Sequence, residues 1–115
     1  LQDARVDVPE AIERSLRDAY CAIVAEREPG FDRAAFDAAY ADFGAQRNTR
    51  LLGLWARLLI RDGKPNYLRH LPRTWRYLER NLAHPGLAPV RRWFDRNFPA
   101  EIRRRSLDWT RSAGA

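Results

Sequence analysis

The stretch FDRAAFDAAYADFGAQRNTRLLGLWARLLIRDGKP, residues 31–65, decides the fold class. Phe36, Tyr40, Phe43, Arg47, Leu51, Leu54 and Leu58 recur along it at intervals of three and four, the period of a helix with one apolar side. Asp32 has the side chain that caps a helix start, and Gly63 offers a left-handed cap with Pro65 two residues on to resist continuation. The spacing predicts one long helix, or two broken near Gly44, ending at Gly63.

The flanks read the same way. Pro9 suits a first helical turn, and Ile12, Leu16, Tyr20 and Ile23 follow as an apolar row that stops before Pro29-Gly30. Downstream, Leu68, Leu71, Trp75, Leu78 and Leu82 share a side of a third helix that Pro72 must bend or restart. It closes at His84-Pro85-Gly86. Pro89 opens a fourth helix with Val90, Trp93, Phe94 and Phe98, and Pro99 a short turn around Ile102. No alternating run suggests a strand, so the chain reads as all-α without an internal repeat. The tail, Ser106 to Ala115, reads as loosely held.

Composition limits the function classes. The 115 residues are 45% hydrophobic and 31% charged, which is globular composition for one domain. The longest apolar stretch, Leu51 to Ile60, is interrupted by Gly53 and Arg57 and is too short to span a bilayer. The lone Cys21 has no internal disulfide partner and reads as a small buried thiol, which makes a cytoplasmic address the expectation. The absence of an initiator Met suggests a piece cut from a longer polypeptide.

Charge is uneven: residues 1–50 carry 7 Arg against 10 Asp and Glu, and residues 51–115 carry 14 basic against 5 acidic side chains. Arg69, Arg73, Arg76 and Arg80 fall on one side of the third helix. Such a stripe could bind nucleic acid through its phosphates, but an amphipathic helix also needs a solvated face, and that is the favoured reading. A free-standing basic module for nucleic acid or an acidic protein is the alternative function.

The residues offer little reaction chemistry. His70 and His84 have no second His or Cys at ligand spacing and read as surface or capping residues, so no metal site is expected. Asp42-Phe43-Gly44 spells the metal-binding triplet of protein kinases but sits inside a helical pattern, with no catalytic His-x-Asp nearby. Arg47 stands out, a cation in an otherwise apolar row with Gln46 and Asn48 beside it. A buried Arg must be paired. It either ties the helix to a carboxylate elsewhere, the favoured alternative, or contacts a ligand.

Several short motifs carry a family resemblance: Gly44-Ala45-Gln46-Arg47-Asn48, Arg61-Asp62-Gly63-Lys64-Pro65, Tyr67-Leu68, Leu71-Pro72-Arg73 and Tyr77-Leu78-Glu79-Arg80. Residues 1 to about 100 resemble the C-terminal part of bacterial phosphotransferases of the aminoglycoside phosphotransferase and choline kinase type. Among these they are most similar to the anomeric sugar kinases acting on N-acetylmuramate and N-acetylglucosamine in cell-wall recycling. The resemblance implies a protein-kinase-like parent that uses ATP and Mg, whose catalytic and metal-binding Asp residues lie upstream of Leu1. This piece would have no catalytic or metal-binding residues and would not be catalytic alone. Residues 1–7 would end a preceding helix and loop. Residues 8–105 would form a helical subdomain walling the acceptor pocket, with Gln46, Arg47 and Asn48 facing the sugar. The implied partners are the upstream core of the same polypeptide and a small sugar, with neither nucleic acid nor membrane.

Overall fold

A computed structural model describes residues 1–103, and every regular element among these is helical, as the periodicity requires. Helix α1 spans Glu10–Arg27, α2 Arg33–Asp62, α3 Leu71–Leu82 and α4 Ala88–Asn97, with 3-10 turns at Pro65–His70 and Pro85–Leu87. The shape is elongated, 55 × 28 × 24 Å. No helix among the described residues is long and apolar enough to cross a membrane.

The punctuation residues act where their chemistry places them. The Asp32 side chain accepts from the Ala35 N–H at 3.2 Å, and α2 runs unbroken through Gly44 to Gly63, whose φ of 62° is left-handed. Pro72 and Pro89 each lie in the first turn of a helix, where no N–H is missed. Pro72 therefore restarts the chain as α3 after the 3-10 turn. Residues 1–9 form no helix in this chain. Residues 104–115 lie outside the described residues, and with them the whole of the expected tail, 106–115.

The apolar rows of α1 and α2 differ from expectation in an instructive way. Ile12, Leu16, Tyr20 and Ile23 are all about half exposed; α1 instead turns Glu13 and Cys21 inward, with Arg17 between them and Val24 beyond them half-buried. The inward row is one residue further along the chain. In α2 the buried positions are Ala41, Ala45, Asn48 and Trp55, and Phe43 is 71% exposed. Small side chains at 41, 44 and 45 let α3 come close, and closeness decides which face is buried. A Cβ at Gly44 would lie 2.3 Å from the Asn81 side chain of α3.

Two apolar clusters result. Ala45, Trp75, Leu78, Leu82 and Phe94 join α2, α3 and α4; Trp55, Leu68 and Leu71 join the second half of α2 to the 3-10 turn. Trp55 stacks on Tyr67 and donates to Thr74 Oγ1 at 3.1 Å, so its indole N–H is satisfied inside the core.

Candidate functional site

Helix α1 and the first residues of the chain are fastened to this frame by polar side chains more than by apolar ones. Gln2, 6% exposed, is the hub. Its Oε1 accepts from Asn48 Nδ2 at 2.9 Å, its Nε2 donates to Glu13 Oε1 at 2.9 Å, and its backbone carbonyl accepts from Arg47 Nη1 at 2.6 Å. Glu13 is itself buried and takes two further bonds, from the Tyr40 hydroxyl at 2.7 Å and from Arg80 Nη1 at 2.9 Å. Burial, and second the bond to Glu13, push the Tyr40 phenol well above its usual range, which keeps it a donor. Asn81 completes the set: it accepts from Asn48 Nδ2 at 2.8 Å, or, with its amide turned over, donates to the Tyr77 carbonyl at 2.9 Å and accepts from Gln2 Nε2 at 3.2 Å.

The arginine stripe of α3 serves the same end. Arg80 also donates to the Val8 carbonyl at 2.8 Å, Arg73 to the Ala4 carbonyl at 3.4 Å, and Arg76 pairs with Asp7 at 3.3 Å. The Tyr77 hydroxyl, between them, donates to the Val6 carbonyl at 2.9 Å and accepts the Val8 N–H at 2.8 Å. The expected solvated face is thus in good part a clamp on residues 4–13, though Arg69 and Arg76 are exposed, Arg76 while paired with Asp7.

Gln46, Arg47 and Asn48 do not converge on one place. Asn48 is 1% exposed and belongs to the interior network, whereas Gln46 and Arg47 are exposed. Among the described residues Arg47 is exposed and its hydrogen bond goes to the Gln2 backbone carbonyl, not to a carboxylate. Its side chain lines an open hollow of about 420 Å³ together with Leu1, Gln2, Phe36, Tyr40 and Phe43. The row 36-40-43-47 is therefore the floor of a hollow and not a core seam. On the other side of the network, Glu10, Arg14, Arg17, Asp37 and His84 edge a smaller polar cleft of about 230 Å³.

The remaining candidates settle simply. Asp42 is exposed in mid-helix, and among the described residues no three His, Cys, Asp or Glu side chains are placed to hold a metal ion. Cys21 is buried at 2% exposure. His84 caps the turn after α3, Nδ1 accepting from the Gly86 N–H at 3.1 Å. His70 departs from the surface role expected of it: it is buried against Trp55, with Nδ1 3.2 Å from Arg73 Nη1.

Burial first, then the charges of Arg69, Arg73 and Arg5, hold the His70 pKa below its usual 6.5. The folded chain therefore binds fewer protons than the unfolded one just below that pH, so His70 lowers stability as pH falls from about 6.5 through its folded pKa. Urea midpoints at pH 7.5 and pH 5 should drop more in the wild type than in His70→Gln. An equal drop would contradict this.

Comparison with known proteins locates the whole arrangement. No family model matches the chain. It is 45% identical over 104 residues, 90% of its length, to the N-acetylmuramate/N-acetylglucosamine kinase of Caulobacter vibrioides, of which it spans 28%. Proteins of the same name match shorter segments: that of Pseudomonas aeruginosa is 50% identical over 48 residues, 41% of this chain and 14% of the relative. That of Neisseria meningitidis serogroup B is 42% identical over 60 residues, 49% and 18% respectively. The chain is thus homologous to a segment of these kinases and spans 28% or less of each.

Proposed function

We propose that this chain is the helical, acceptor-side portion of an ATP-dependent amino-sugar kinase. On this reading residues 8–105 form a subdomain beside an upstream catalytic core, which carries the residues for ATP and Mg. The observation that supports it most is the 45% identity to an N-acetylmuramate/N-acetylglucosamine kinase across nearly the whole chain. The hollow bounded by Phe36, Tyr40, Phe43 and Arg47 adds a physical reason, because it offers aromatic surface and an exposed guanidinium within a space of ligand size. Gln46 and Arg47 are proposed to reach the sugar, while Asn48 acts from inside by fixing Gln2, which in turn orients Arg47.

The chain by itself would bind no Mg-ATP and transfer no phosphate, since phosphoryl transfer depends on metal-holding carboxylates that the reading assigns to the upstream core. The full-length polypeptide incubated with Mg-ATP should phosphorylate N-acetylmuramate or N-acetylglucosamine, followed by phosphorus NMR of the product. Turnover of neither sugar would end this reading, and turnover by residues 1–115 alone would refute the division of labour.

A further inference from the structure

We infer that His70 and Arg73 form a proton-operated latch on the segment around Ala4: with His70 neutral, one Arg73 nitrogen bridges the imidazole and the Ala4 carbonyl, and protonation of His70 drives Arg73 off and frees that carbonyl. The latch is a property of the fold and stands apart from the amino-sugar kinase reading.

Arg73 Nη1 lies 3.2 Å from His70 Nδ1 and 3.4 Å from the Ala4 carbonyl oxygen. A guanidinium nitrogen can only donate, so Nδ1 is the accepting nitrogen of a neutral ring whose proton sits on Nε2. One nitrogen thus serves two acceptors, and one of them can be lost. Protonation turns Nδ1 into a donor, setting N–H against N–H and one cation against another. The ring has little room to escape this. His70 is 6% exposed, packs on Trp55 of α2 with ring centroids 5.4 Å apart, and its carbonyl accepts from Thr74 Oγ1 at 2.8 Å. The charges that act on the imidazole are Arg69 from its own turn, Arg73 from α3 and Arg5 from the leading segment, while α2 presents the Trp55 ring. None of these compensates a further positive charge. Arg73 is therefore the part that moves. Its bond to Ala4 is the longest of the hydrogen bonds that fasten residues 2–8 to the helices and so the weakest hold. Asp7 Oδ1, 3.9 Å from Arg73 Nε and already paired with Arg76, offers the displaced guanidinium a carboxylate. The Val6 and Val8 carbonyls are held by Tyr77 and Arg80 instead, so release is confined to the stretch around Ala4.

The test is an NMR titration of the full-length polypeptide from pH 7.5 down to the onset of acid unfolding. It follows the His70 ring carbons, the Ala4 carbonyl carbon and the Arg5 amide in the same peptide unit. The Ala4 and Arg5 signals should move with the midpoint of the ring, which lies below the ordinary 6.5, while the Val8 amide, bonded to the Tyr77 hydroxyl, stays in place. In Arg73→Gln the ring midpoint should rise, because a cation beside it has gone, and the Ala4 shift should be lost. In His70→Gln the Ala4 signal should not move over the range in which the wild-type ring titrates. An Ala4 signal that does not follow the ring would overturn the latch. So would one that titrates unchanged in His70→Gln, since the cause would then be another group such as Asp3, whose carboxylate accepts the Arg5 N–H at 2.7 Å. A ring that stays neutral until the protein unfolds would overturn it as well. Should either variant fail to fold, the wild-type titration decides by itself.

Discussion

Replacing Glu13 by Ala should destabilise the protein by about 3–5 kcal/mol, the range for removing one partner of a buried ion pair. The carboxylate is 5% exposed at its side chain and its partner Arg80 20%, so little water is at hand to replace what is lost. Three donors, Gln2 Nε2, the Tyr40 hydroxyl and Arg80 Nη1, would lose their acceptor at once. Glu13→Gln keeps the shape and part of the bonding and should fall between the two. Because α1 buries only Glu13 and Cys21, its docking should suffer first. Urea denaturation gives the magnitude; hydrogen exchange should show amides of residues 10–27 losing protection ahead of α2 and α3. A loss under 1 kcal/mol would mean that the pair is a surface interaction in effect.

The second large effect is expected from adding one carbon. In Gly44→Ala the new Cβ would lie 2.3 Å from Asn81 Nδ2 and 2.8 Å from Asn81 Cγ. A flexible surface side chain would swing away at little cost, but Asn81 is 3% exposed and enclosed by Asn48, Gln2 and the Tyr77 carbonyl. Relief requires either parting α2 from α3 or breaking the amide network, and a loss of about 2–3 kcal/mol is expected. Asn81→Ala removes the obstruction along with its bonds. The double variant Gly44→Ala/Asn81→Ala should therefore cost less than the two single losses combined, which a double-mutant cycle measures directly. Strict additivity would show that Gly44 serves α2 in some way unrelated to Asn81.

These two residues mark where the sequence was legible and where it was not. The ends of α2, the restart at Pro72 and the entry at Pro89 follow from chemistry carried by a few neighbouring residues, and they were readable. The faces were not, because a row of large apolar side chains looks like a core seam whether or not anything packs on it. Ile12-Leu16-Tyr20-Ile23 and Phe36-Tyr40-Phe43-Arg47 are such rows, and the buried rows beside them include Glu13, Cys21, Ala41 and Ala45. Small residues gave the better signal, since Ala41, Gly44 and Ala45 permit a close helix crossing. The polar network was invisible for another reason. Gln2, Glu13, Asn48 and Asn81 meet only in three dimensions, and periodicity within one helix cannot join them. Asn81, a polar residue between Leu78 and Leu82, was the available hint. The α3 arginines could not be assigned until residues 4–8 were seen under them, for a clamp and a solvated face have the same spacing. Arg47 was singled out for being a cation in an apolar row, and its place on the hollow gives that oddity a physical setting.

Whether the hollow beside Arg47 receives the sugar is tested most directly by hydrogen exchange of the full-length polypeptide with and without saturating N-acetylmuramate. A ligand seated there restrains the helix beneath it and the chain end beside it. Amides of residues 36–48, together with those near Gln2, should gain protection, while residues 53–62, further along the same helix, should not change. Unchanged exchange across residues 36–48 under conditions where the sugar is bound and phosphorylated would contradict the account.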